Sequence, residues 1–214
     1  MRKILDRYKA LQAHRSFSLQ VISAILFFCV SLLLNFITNS YVVAHASSAV
    51  SDIFLDNLPF VDVRDIFFEG MIILILFIVF LGLSHPRRIP FILKSSALFI
   101  GMRSFFMILT HLAPPAGDML LFSGNTIQKM TSGADLFFSG HTGFPFLAAL
   151  LFWDNRPLRI FFIAASIFFG CAVLLGHIHY SIDVFSAFFI TYGIFHIAIR
   201  FFKKDYDLFL KNSI

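Results

Sequence analysis

Charge is scarce in this sequence. Asp, Glu, Lys and Arg make up 14% of its 214 residues, where a soluble domain carries about 25%. Cysteine occurs only twice, as Cys29 and Cys171. Two cysteines are too few for a metal cluster. Both lie inside apolar segments and read as small buried residues rather than as a disulfide. No internal repeat and no second domain is visible.

Apolar residues fill the space that charge leaves. They form 58% of the chain, 31 residues are Phe, and the mean hydropathy is +0.85. Several apolar runs approach the ~20 residues that cross a bilayer as a helix. The fold class expected is therefore all-α, a polytopic membrane protein. The phenylalanines read as lipid-facing and packing bulk. The net charge of +5 could suggest nucleic acid. The basic residues flank the apolar runs, however, and membrane orientation accounts for them better. No nucleic-acid partner is expected.

Six membrane helices are predicted, at about 19–38, 66–83, 89–112, 136–153, 158–176 and 182–202. A basic N-terminus, 1–18, and a basic tail, 203–214, flank this 19–202 domain. Ala44-His45-Ala46 looks like a signal-peptidase site. The run before it is longer than a signal h-region of ~7–15 residues, so an uncleaved first helix is expected. On this layout fourteen of the 17 Lys and Arg residues fall on one side. Arg64, Arg103 and Lys129 fall on the other. The positive-inside rule then puts both termini in the cytoplasm. It also brings His141, His179 and Asp183 to the outer face, without any use of their chemistry.

Two stretches concentrate that chemistry. His179-Tyr180-Ser181-Ile182-Asp183 sets a histidine and a carboxylate four apart at a helix start, where they can share a face. The carboxylate can orient the ring for attack or proton transfer. The same spacing also fits an interfacial histidine beside a helix-capping aspartate. Asp135-Leu136-Phe137-Phe138-Ser139-Gly140-His141-Thr142 is the second stretch. Its glycine allows close backbone approach, and the helix N-terminus favours an anion. His141 could exchange protons there, or could simply be a wetted histidine at a capped helix start. Arg103 is predicted ~13 Å inside the third helix at ~1.5 Å per residue. A charge at that depth faces a cavity or a partner. A fork to phosphate oxygens and a structural pair with Asp135 both fit it.

These two stretches resemble the signature motifs of the sphingomyelin synthase branch of the type 2 phosphatidic acid phosphatase (PAP2) superfamily. Arg103, Met107, Thr110, Leu112 and Pro115 are similar to that branch's third-helix motif. The resemblance covers about residues 95–200. It implies a PAP2-like bundle of six helices. It also implies His179 as the nucleophile on phosphorus, Asp183 as its orienter, and His141 as the acid and base for leaving group and acceptor. Ser139, Gly140, Thr142 and Arg103 would bind the phosphate, with His177 as a second donor, and Asp135 and Tyr180 would support them. The branch's first motif is only faintly present, in Leu58-Pro59 and Asp62. The short tails without cysteine, unlike those of animal members, suggest a bacterial relative in an inner membrane.

Lipid phosphatases of the wider superfamily carry a second arginine six residues before the nucleophilic histidine. Here that position is Val173. A phosphomonoester brings nearly two negative charges and a diester one. Sparse positive charge favours a diester. The expected activity is transfer of a phospho-headgroup from a phospholipid donor to a lipid alcohol, of ceramide or diacylglycerol type, with no cofactor. Hydrolysis of a lipid phosphate, with water as acceptor, is the alternative. A transporter with a polar relay is a remoter one. A zinc site of His141, His177 and His179 is less favoured, because Asp183 at this spacing already has a role.

Overall fold

The computed structural model describes residues 15–110, 112–115 and 137–211. Asp135 and Leu136, and the polar loop from 116 onward, lie outside the described residues. Every regular element among those described is helical. Seven α-helices are present among the described residues: α1 Arg15–Ala44, α2 Met71–Ser84, α3 Ile89–Leu109, α4 Gly140–Leu151, α5 Arg156–Leu175, α6 Ser181–Phe201 and α7 Lys203–Leu210. A π-turn, Ile66–Gly70, leads into α2, and a 3-10 turn, Pro86–Arg88, leads into α3.

Among the described residues five segments are long and apolar enough to cross a bilayer: Ser16–Ala44, Ile66–Ser84, Pro86–Leu109, Arg156–Leu175 and Ser181–Phe201. The sixth expected helix is present as α4, but only its 12 residues are helical. At ~1.5 Å per residue it is ~18 Å long, short of a hydrocarbon core of ~30 Å. Its start is fixed locally. The Ser139 hydroxyl caps it by accepting the Thr142 amide, as Ser does at this position. Pro145, inside the helix, has no N–H to offer the carbonyl of His141 four residues earlier.

Helix α1 packs mainly along α3, while α4 lies against α5 and α6. The main core gathers Phe91, Phe99, Phe138, Leu147, Phe162 and Ile194. Aromatic edges meet there, as in Phe99–Phe138 at 5.3 Å. Other phenylalanines, such as Phe80, Phe105, Phe189 and Phe201, point outward. The two cysteines correct one expectation. Cys29 and Cys171 are both exposed on the outside of the bundle. In a membrane the outside is apolar too, so an apolar run does not imply burial.

The tail also differs from a simple basic tail. Residues 203–210 form α7, which packs on α3 and the 86–88 turn. Lys94 and Asp205 pair at 2.8 Å there, both largely buried, and Arg88 lies over the rings of Phe152 and Phe209.

Candidate active site

The two chemistry-bearing stretches meet at the start of α6. The Ser139 amide donates to the Asp183 carbonyl at 3.0 Å. Ser139, Thr142 and Asp183 are fully buried and His179 is 3% exposed. His179 Nδ1 lies 3.5 Å from Asp183 Oδ2. That is an ion-pair distance, longer than a formed N–H···O bond. A proton on Nδ1 is the one this carboxylate favours, which leaves Nε2 with the lone pair. Asp183 Oδ2 also accepts the Tyr180 amide at 3.0 Å, which closes the first turn of α6 as a capping box.

Arg103 stands on the opposite wall, six residues before the end of α3 and so ~9 Å inside it. It is 8% exposed. Its Nε donates to the Phe138 carbonyl at 2.7 Å, just before the α4 cap. A Cβ on Gly140 would lie 3.4 Å from the Arg103 Nε, so the guanidinium packs directly on the start of α4. His141 is the second residue of α4. Its ring stacks on Phe67 at 3.8 Å and 23°, and its Nε2 is 3.2 Å from the Phe67 carbonyl. A carbonyl only accepts, so that nitrogen carries the proton in this contact, and Nδ1 of the neutral ring is the acceptor.

Thr142 faces α5. Its carbonyl accepts the Ser166 hydroxyl at 2.6 Å, and its own hydroxyl donates to Ser139 at 3.2 Å. His177 is placed differently. Its backbone has a φ of 50°. Its Nε2 contacts the Leu58 carbonyl at 3.2 Å, and its ring meets Phe60 edge-on. These contacts tie it to the 52–63 segment. Asp62, in the same segment, pairs with Arg64 at 2.7 Å on the surface.

Three features lay outside the sequence reading. Asp52 Oδ2 accepts the Ser181 amide at 2.7 Å. The Tyr180 hydroxyl donates to the Ala113 carbonyl at 2.9 Å and accepts the Val50 amide at 3.2 Å. The Val61 amide donates to the Leu175 carbonyl at 2.8 Å. Together they strap residues 50–63 across the turn between α5 and α6. Leu55 and Val63 pack under the strap against Val173 and Tyr180. Burial raises the Asp52 carboxyl pKa, but the Ser181 amide and hydroxyl and the amides of Leu55 and Phe54 outweigh it. The net result is a pKa below the ordinary 3.8. Phe67 also lay outside the sequence reading, and its place in a π-turn fits the frequent use of such turns at functional sites. Among the described residues no three His, Cys, Asp or Glu side chains group as metal ligands would.

The Ser139–Asp183 backbone bond brings the His179–Asp183 pair next to the capped start of α4, which also carries His141 and against which Arg103 is bonded. Residues 132–200 match the family model described as PAP2 superfamily C-terminal. The match covers about a third of the chain and includes both histidine stretches. No curated protein and no solved structure matches the chain.

Proposed function

Taking the PAP2 superfamily match as the premise, we propose that this chain is a membrane-embedded phosphotransferase that moves a phospho-headgroup from a phospholipid to a lipid alcohol. The observation that carries the reading is the Ser139–Asp183 backbone bond, since it joins the two histidine stretches into one site.

In the first step Nε2 of His179 attacks phosphorus and the bond to the glycerol oxygen breaks. His141, protonated on both ring nitrogens as this step begins, gives that oxygen its Nδ1 proton, so diacylglycerol leaves and the headgroup phosphate is held on His179. In the second step the acceptor hydroxyl gives its proton to His141, its oxygen attacks phosphorus, and the P–N bond breaks. Protons and charge balance over the cycle. Asp183 stabilises the positively charged ring that forms at His179. Arg103 and the Ser139–Thr142 helix start neutralise the phosphoryl oxygens. Both termini lie in the cytoplasm in this reading, and the site opens toward the outer face.

Val173 supports a diester over a monoester. The position is 1% exposed and packed among apolar side chains. It supplies no charge where the lipid phosphatases of the superfamily have a second arginine. One buried arginine suits the single charge of a diester. The test is an assay in liposomes with labelled phosphatidylcholine, phosphatidylethanolamine and phosphatidic acid, with and without ceramide or diacylglycerol. Label should move from a diester donor to the added alcohol. Release of inorganic phosphate from phosphatidic acid alone would replace transfer by hydrolysis.

A further inference from the structure

A slot of about 650 Å³ runs between α2 and α5. Its lining is entirely apolar, with Gly70 and Phe77 at the two ends of one side and Phe169 and Phe161 at the matching ends of the other. Gly70, Ala164 and Ala165 create the space, because large side chains flank them on the same faces. Pockets of this size are typical of small-molecule sites.

The position of the slot is informative. Its upper end is shared with the histidine site. The Phe169 ring lies 6.2 Å from the His141 ring. Gly70 belongs to the same π-turn as Phe67, which stacks on His141, and a side chain on Gly70 would come within 3.1 Å of Phe169. From there the slot descends along both helices for seven to eight residues, or ~11 Å at ~1.5 Å per residue. It therefore runs from the level of His141 along the helix axes, away from the end of the bundle that carries the strap. An amphiphile with its hydroxyl at His141 must send its hydrocarbon in that direction.

We propose that this slot holds a hydrocarbon chain of the lipid alcohol whose oxygen leaves or attacks at His141. The proposal rests on the phosphotransfer reading above and deepens it. Because His141 serves both half-reactions, the slot receives the departing diacylglycerol and then the incoming acceptor. One subsite for two alcohols makes them compete, and makes the acceptor preference one of chain length.

Two measurements test it. The first needs no turnover. The purified chain in nanodiscs is irradiated with a diacylglycerol that carries a diazirine on one acyl chain. Crosslinks should map to 70–77 and 161–169 and be displaced by unlabelled dioleoylglycerol. They should be lost in Ala164→Phe, a substitution at an exposed position that fills the slot. Label spread evenly over the outer faces of α1 and α6, or unchanged in Ala164→Phe, would overturn the proposal. The second compares acceptors. Ala164→Phe should lower kcat/KM for dioleoylglycerol by about tenfold or more while sparing dihexanoylglycerol. Ile167→Phe, outside the slot lining and exposed, should change neither. Equal loss with both acceptors, or with neither, would count against the slot. Slot crosslinking in a wild-type protein that transfers nothing would support the slot and contradict the phosphotransfer reading.

Discussion

His179 and Asp183 are held 3.5 Å apart. The carboxylate is wholly buried and already accepts the Tyr180 amide. Asp183→Asn should therefore leave the fold intact and slow transfer by about 10²–10⁴, the range seen when a catalytic histidine loses its orienting carboxylate or its acid–base role. Activity and circular dichroism on the same preparation check it. His141→Ala should differ in kind. A phosphorylated enzyme should still form from a donor with a good leaving group and then accumulate, because no base remains to activate the acceptor. Quench-flow with such a donor separates the two. The residues of these motifs were legible in the sequence because their chemistry is rare in an apolar background. Phe67 was not. It meets His141 through its ring and its backbone carbonyl, and any residue supplies a carbonyl.

At the scale of elements, α4 and the strap set the geometry. Helix α4 is pressed between its neighbours at Gly143. A Cβ there would come within 2.8 Å of the Thr191 hydroxyl on α6 and 2.9 Å of the Phe99 ring on α3. Gly143→Ala should destabilise the bundle by about 1–3 kcal/mol, visible as a lower Tm in detergent. The strap depends on Asp52. Its carboxyl pKa is lowered in the folded chain, so its contribution is fully present above the ordinary value of 3.8 and fades as pH falls through the lower folded value. Exchange at the Ser181 amide should stay slow through neutral and mildly acidic pH. It should quicken in the strongly acid range below 3.8. In Asp52→Asn, exchange should be faster at neutral pH and lose this acid transition. Hydropathy located most of the helices closely, but α1 runs on to Ala44 through residues expected in the loop after 38, and the helical part of α4 is shorter than its apolar run, since Pro145 and the Ser139 cap act locally. The strap was invisible because its bonds join residues far apart in the chain, such as Asp52 and Ser181.

For the whole molecule, the orientation proposed from the sorting of charge can be tested on the loops. Arg88 and Lys94 gather with α7 at one end, while the strap and the histidines occupy the other. A chain with Cys29 and Cys171 replaced by Ser reports this directly, since both native thiols are exposed. In that background an impermeant maleimide should label Asn57→Cys from outside intact cells and Asn155→Cys only after permeabilisation. The reverse pattern would move the site to the cytoplasmic side. At this scale the sequence offers an expectation, because charge is sorted by loop. It could not tell which face of each helix is inward, because lipid-facing and core-facing surfaces are equally apolar, as Cys29 and Cys171 illustrate.

The central claim is that one covalent phosphorylated histidine links the two half-reactions. The direct measurement is transfer of label from a phosphorus-labelled phospholipid to the protein, trapped without acceptor and mapped by peptide. The account predicts acid-labile, base-stable label on the peptide carrying His179. That label should be absent in His179→Ala and should be chased off by a lipid alcohol. Full turnover in His179→Ala, or activity abolished by EDTA and restored by zinc, would contradict it.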